Sequence, residues 1–318
     1  MNWSTVKNLL IAMLVAANIF LIYNISVQNR NKSYLDEKEV ADAVGILASR
    51  GLEVDAEAIP LRRISASVCE SFYPTDYFSV AAEALSGSPR TSAMMLPDGG
   101  MMIITAGGDS SEFYDDLRFV YYKNSNIRGA AYTDITADDL ELVTENFGSL
   151  TKSKLSGYEK RVSDFLCRGQ GEDYRFGVRI DGGALDEGAG VTYIFATQML
   201  DGLPVYGNSA VCVFEGEDLL SARGYWYFGT AGETYSEEIY DQVNILFTDL
   251  SALTTRAAEE ERPDAGFPGV TSVTACYTPN WNADRTALYF ILSWQIDHSD
   301  GTRIVYNAIN NSEYLSTR

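Results

Sequence analysis

Val191-Thr192-Tyr193-Ile194-Phe195-Ala196-Thr197-Gln198-Met199-Leu200, then Asp201-Gly202, then a second apolar run, Ser209-Ala210-Val211-Cys212-Val213-Phe214-Glu215, decide the fold. Both runs are rich in β-branched and aromatic residues, and Asp-Gly between them has turn chemistry, which predicts paired strands. Tyr174–Ile180 and Ser221–Phe228 extend the series on either side, with turns expected at Gly182-Gly183 and Glu215-Gly216. A helical stretch, Ser236–Ala258, interrupts the strands. Ser272–Tyr277 and Leu288–Asp297 resume them, and a hairpin at Asp300-Gly301 leads into Arg303–Ile309. Strands joined by short turns and covered by separate helices predict an α+β fold with an antiparallel sheet, not a parallel doubly wound one.

Upstream, Thr136–Cys167 reads as helix broken at Gly148 and Gly157, and Thr136 with Asp139 resembles a capping box. These segments make a C-terminal α+β lobe over 136–318. An N-terminal α+β lobe is expected over 34–130. It opens with an amphipathic helix, Asp36–Arg50, whose Val40, Ala43, Val44 and Leu47 recur at helical spacing before Gly51. An extended segment near Ile64–Val68, a helix near Tyr77–Leu85 and a strand at Leu117–Tyr122 follow. Between the last two, Ala93–Leu96 and Met101–Ile104 flank Pro97-Asp98-Gly99-Gly100, a strong hairpin signal. The hairpin's four methionines, Met94, Met95, Met101 and Met102, suit either a pliable partner surface or core filling, and core filling is the commoner use.

The start of the chain differs in kind. Leu9–Val27 holds 19 residues without a charge. As a helix rising 1.5 Å per residue it spans roughly 28 Å, enough to cross a hydrocarbon core. The run exceeds the usual apolar core of a signal peptide, and Ile25-Ser26-Val27-Gln28 is a poor cleavage site. A retained transmembrane helix over 9–27, behind a short tail 1–8, is therefore expected. Ala12 and Ala16 form a small-xxx-small pair that lets another helix approach closely, and Asn18 can hydrogen-bond across such a contact.

Composition narrows the function. The 318 residues carry 44 acids and 24 bases, a formal charge of -20. Lys7 precedes the span, so 23 bases against 44 acids leave -21 beyond it. Nucleic-acid binding needs a cationic surface and is not expected. His298 is the only histidine, which excludes His-rich zinc sites and the HExxH motif. It sits among turn-forming residues, Asp297-His298-Ser299-Asp300-Gly301, where an exposed turn offers nothing to orient a catalytic imidazole. Cys69, Cys167, Cys212 and Cys276 contain no CxxC; two disulfides in any of three pairings, or free thiols, remain open. The acidic loops Asp181–Glu187 and Asp297–Asp300 lack the ligand spacing of an EF-hand, and no metal or other cofactor is expected. Gly188-Ala189-Gly190 precedes a strand, not a helix, and so is no phosphate cradle. Tyr225-Trp226-Tyr227-Phe228, with Trp281 and Trp294, read mainly as core; as a second use they would line a peptide or glycan groove.

Three motifs carry a family resemblance. Trp3-Ser4 ahead of a single apolar span resembles the start of the YycI proteins. Gln198-Met199-Leu200-Asp201-Gly202-Leu203-Pro204-Val205-Tyr206-Gly207 is similar to a segment shared by YycI-like domains and thermolysin-type propeptides. Trp294-Gln295-Ile296, the Asp300-Gly301 turn and Val305-Tyr306-Asn307-Ala308 resemble the closing hairpin of YycI and PepSY-type domains. The resemblance implies a membrane-anchored, non-catalytic regulator of Gram-positive bacteria. Such proteins associate with a YycH-like partner and with the WalK (YycG) sensor histidine kinase, partly through their membrane spans. It further implies a cytoplasmic N-terminus and an extracellular bulk, and it brings no catalytic residue. Two other readings stand beside it: an anchored inhibitor or chaperone resembling a protease propeptide, and a cell-wall or peptide-binding module.

Overall fold

A computed structural model describes residues 34–62, 64, 68–72, 76–124, 135–168, 175–235, 239–260 and 266–314. The expected tail 1–8 and span 9–27 lie outside these residues. Among the described residues, no helix is long and apolar enough to cross a membrane. The chain is α+β, and it divides into two compact units. One takes Met1–Ala66, Glu238–Thr274 and Trp294–Glu313; the other takes Ser67–Glu237, Ala275–Ser293 and Tyr314–Arg318. Consecutive lobes at 34–130 and 136–318 were expected, whereas each compact unit is assembled from separated stretches. Strand pairing brings this about, because Val68–Phe72 pairs with Ala287–Ile291, more than half the chain away.

In the first unit, α1 (Glu37–Ser49) begins at Asp36, whose carboxylate accepts from Lys38 N. Its stripe of Val40, Ala43 and Leu47 is buried, and α1 packs against α5 (Gln242–Glu259). Asp241 caps α5, its side chain accepting from the amides of Val243 and Asn244. This satisfies two of the four amides that a helix N-terminus leaves open. Ile245, Leu246 and Leu250 of α5 are buried, as are Trp294, Ile296, Ile304, Val305 and Tyr306 in the same unit.

The second unit is organised by a mixed sheet, two of whose strands have their Val270–Thr274 and Trp294–His298 portions in the first unit. Its order is β10 (Thr234–Tyr235), β1 (Val68–Phe72), β12 (Ala287–His298), β11 (Val270–Trp281), β8 (Leu203–Glu215), β9 (Asp218–Tyr225), β5 (Arg118–Tyr122), β4 (Ser110–Phe113), β3 (Met101–Thr105), β2 (Arg90–Met95). β7 (Val191–Leu200) pairs with β8 and, on its other side, with β6 (Phe176–Asp186). The sheet is not wholly antiparallel as expected: β11 runs parallel to β8, with Tyr277 opposite Val205. Since β7 follows β8 along its length, β9 and β11 take successive parts of the other side. Phe176, Tyr227 and Phe290 meet at ring distances of 5.3–5.4 Å and anchor one aromatic cluster.

Two glycines expected to form a turn lie inside β6. Gly182 and Gly183 sit at a register shift and pair with Phe195 and Ile194. A Cβ on Gly182 would come within 2.9 Å of Leu140 in α3 (Leu140–Phe147), and one on Gly183 within 3.1 Å of Leu155 in α4 (Lys152–Leu166). Successive residues of a strand face opposite sides, so the pair lets a helix approach each face of the sheet. α3 adds Val143 to a cluster with Tyr193, Phe195, Val211 and Val213. On the other face, Tyr158 of α4 packs on Phe214 and its hydroxyl bonds Gly216 O at 3.0 Å. Double coverage explains why β7 is an almost unbroken apolar run.

Candidate functional site

The proposed helix-contact positions Ala12, Ala16 and Asn18, and the motif residues Trp3 and Ser4, lie outside the described residues. The other motif residues hold the fold. Gln198 is buried in β7, where its amide nitrogen donates to Tyr227 O at 2.7 Å. Its amide oxygen accepts from Asn208 Nδ2 at 2.7 Å and from Tyr227 N at 3.1 Å. Asp201 (φ 50°) and Gly202 (φ 81°) are the two central residues of the β7–β8 turn. Two positive φ values match the tight turn favoured by strand twist, and they explain Asp-Gly there. Arg175 clasps Asp201 with two bonds, 2.9 and 2.6 Å, and donates a third to Gly232 O at 2.9 Å. Pro204, Val205, Tyr206 and Gly207 form the start of β8. Trp294 and Ala308 are buried, and Tyr306 and Asn307 close β13 (Arg303–Asn307).

The side chains considered for chemistry are placed as follows. All four cysteines are free. Burial pushes the Cys167 thiol up to about 11 and the Cys212 thiol up to about 12, which disfavours the nucleophilic thiolate. Among the described residues no three His, Cys, Asp or Glu side chains converge as a metal set. The acidic-loop carboxylates serve local structure: Asp181 accepts from Arg179 and Thr197, and Asp186 from Ala189 N. Trp226, Tyr227, Phe228 and Trp294 are buried in core positions. The expectation for His298 is overturned. It is not in an exposed turn but ends β12, only 3% exposed.

One surface stands out against these buried groups. β2 closes the sheet order at one end and, among the described residues, pairs only with β3. All six of its residues are exposed. Met94 is 57% and Met95 68% exposed, while Met102 opposite Met94 is buried. The core assignment of the four methionines therefore holds for Met102 and fails for Met94 and Met95. Leu96 N donates to Gly100 O across the hairpin. Alternation along an antiparallel strand then turns the N–H and C=O groups of Ala93 and Met95 away from β3. Natural edges are blunted by lysine, proline, bulges or shortness. β2 has one charge, Arg90, at its beginning, a register irregularity between Arg90 and Ser92, and neither Lys nor Pro. At the opposite end of the order, β10 has only two residues.

The beginning of the edge strand is tied to a helix. Arg90 N donates to Glu83 Oε1 at 2.9 Å and its guanidinium to Ser79 Oγ at 2.7 Å, tying the strand to α2 (Tyr77–Ser86). Val80 of α2, beside Ser79, is exposed. At the hairpin tip Gly99 has φ 88°, and a Cβ on Gly100 would fall 2.4 Å from the Tyr114 ring. That ring is itself covered by the Arg118 guanidinium at 3.7 Å. An unpaired, preformed strand flanked by flexible thioethers can add one extended segment by backbone hydrogen bonding. The methionines were visible in the sequence. Their exposure was not, because it follows from β2's terminal place in the sheet.

No family model and no curated protein matches the chain. A solved structure described as an uncharacterized protein from Eubacterium rectale ATCC 33656 is similar at 11% identity and a TM-score of 0.41, over 83% of this chain and 89% of that one.

Proposed function

We propose that the protein is a non-catalytic, membrane-anchored regulator that captures an extended segment of a partner on the β2 edge. The observation that carries this reading is the exposed strand Arg90–Met95, with Met94 and Met95 bare beside outward-facing backbone groups. The apolar span 9–27 supports anchoring, and the family resemblance supports a cytoplasmic N-terminus with the bulk outside the cell. The resemblance in Trp3-Ser4, Gln198–Gly207 and the closing hairpin supports a sensor histidine kinase, or a YycH-like partner, as the protein engaged. In this reading the span packs on a kinase helix through Ala12, Ala16 and Asn18, and partner binding at β2 biases the kinase between its two signalling states.

The test is a two-hybrid or crosslinking screen of the full chain against the sensor kinases of its own genome. Met94→Lys and Met95→Lys place gatekeeper charges on the edge, while Ala16→Leu and Asn18→Leu alter the span. Loss of association in the edge variants supports β2 docking, and loss in the span variants supports the helix contact. Wild-type association in all four would refute both contacts. Inhibition of a secreted protease by the soluble region, residues 29–318, would favour the propeptide-like reading instead.

A further inference from the structure

His298, Asp249 and Tyr306 meet inside the first unit from three different elements: the end of β12, the middle of α5, and β13. Their exposures are 3%, 0% and 1%. Asp249 Oδ1 accepts the Tyr306 hydroxyl at 2.9 Å. Its other oxygen, Oδ2, lies 3.4 Å from His298 Nε2, and both atoms are buried without a hydrogen-bond partner among the described residues. His298 Nδ1 lies 3.3 Å from the carbonyl oxygen of Pro268.

The two ring nitrogens thus face two oxygens, a carboxylate and a peptide carbonyl, neither of which has a hydrogen to give. A neutral imidazole carries one N–H and one lone pair. Whichever tautomer it adopts, the lone pair of one nitrogen is turned toward an oxygen lone pair. Only the imidazolium donates in both directions. The charge it then carries is matched by Asp249, whose own burial without a partner would be costly.

The other groups near this pair do not take over its role. Asp300, in the turn beyond β12, is exposed and adds a further negative charge on the His298 side. Arg256 of α5 pairs with Glu313, and Arg303 of β13 with Asp297. Ser299 is occupied by Gly269 N.

We propose that His298 is a proton-operated latch: its imidazolium fastens α5, through Asp249, to the β12–β13 hairpin, and loss of the proton loosens that helix. Burial by itself lowers the His298 pKa, but the Asp249 carboxylate, the Pro268 carbonyl and Asp300 outweigh it, and the net direction is upward. The sign follows. A histidine whose folded pKa is raised contributes stability that is complete below its unfolded value, ~6.5, and that fades as pH rises through the folded value. The unit is tightest in acid and loosens toward alkaline pH. An extracytoplasmic regulator would thereby have a proton-sensitive element without a second histidine.

Because the chain has one histidine, the full-length protein labelled at histidine gives a single imidazole signal whose midpoint can be read by NMR titration. The expected midpoint lies above 6.5. Amide exchange of α5, with intrinsic base catalysis divided out, should accelerate through the same midpoint. Protection should fall about tenfold for each unit by which that midpoint exceeds the unfolded value. Asp249→Asn should drop the midpoint below 6.5, and His298→Gln should abolish the pH step in α5 exchange. A wild-type midpoint at or below 6.5, or α5 exchange without a step, overturns the latch. The wild-type measurement alone decides if neither variant folds.

Discussion

Replacing Gly183 with alanine adds a single carbon where three neighbours already stand. The new Cβ would lie 2.6 Å from the carbonyl oxygen of Tyr193, 3.0 Å from Ile194 Cδ1 and 3.1 Å from Leu155 Cδ2. The side chains can shift; the carbonyl belongs to the β6–β7 ladder and cannot move without disturbing the pairing. Overpacking of this sort costs about 1–3 kcal/mol. It is offset by about 0.4–1 kcal/mol because alanine restricts the unfolded chain more than glycine does. The expected net loss is about 1–2 kcal/mol. Gly182→Ala meets only the end of Leu140, at 2.9 Å, so it should cost less. Gly45 in α1 has nothing within 4 Å of the added carbon, and Gly45→Ala should stabilise by about 0.5–1 kcal/mol. Urea unfolding of the full chain, comparing midpoints at constant slope, ranks the three. If Gly183→Ala proves as stable as the parent, or no worse than Gly182→Ala, then the close helix approach is not the reason for the paired glycines.

Other outcomes follow from the same packing. Phe290→Ala removes a fully buried ring from contact with Phe176 and Tyr227 and should cost about 3–5 kcal/mol in denaturant unfolding. Met95→Lys, on an open edge, should leave unfolding within about 0.5 kcal/mol of the parent while weakening partner association; a large stability loss would show that Met95 is a core residue after all. Cys212 should resist a thiol reagent at pH 8 in the folded chain and react on unfolding, since burial pushes its thiol up to about 12; prompt labelling of the native protein would contradict its burial.

Much of the local structure was legible before any coordinates. β7 begins and ends at Val191 and Leu200 as read from the sequence, and Thr136 and Asp139 do form the reciprocal capping box. α1 occupies the stretch between Asp36 and Arg50, with Asp36 as its cap. These features depend on residues close together in the chain: side-chain period, a cap, a turn that needs positive φ. The failures share a different cause. Gly182-Gly183 resembled a turn because glycine pairs are common in turns, but the demand for glycine there comes from Leu140 and Leu155 on two helices packed from either side. β4, Ser110–Phe113, was missed, having two serines and a glutamate in only four residues.

The candidate edge and the histidine follow the same division. From sequence alone, Met94 and Met95 are apolar residues in a strand, and His298 is a residue among turn formers. Whether a strand is central or terminal depends on which distant segments pair with it, and here nothing among the described residues follows β2 in the sheet. Whether a residue at a strand end meets solvent depends on what packs over it, and for His298 that is α5, carrying Asp249 from 49 positions earlier in the chain. Composition and periodicity thus determined most of the elements, the α+β class and the apolar stretch 9–27. Tertiary structure decided which apolar residues remain bare and which polar ones are enclosed, because burial is set by non-local neighbours that no local pattern encodes.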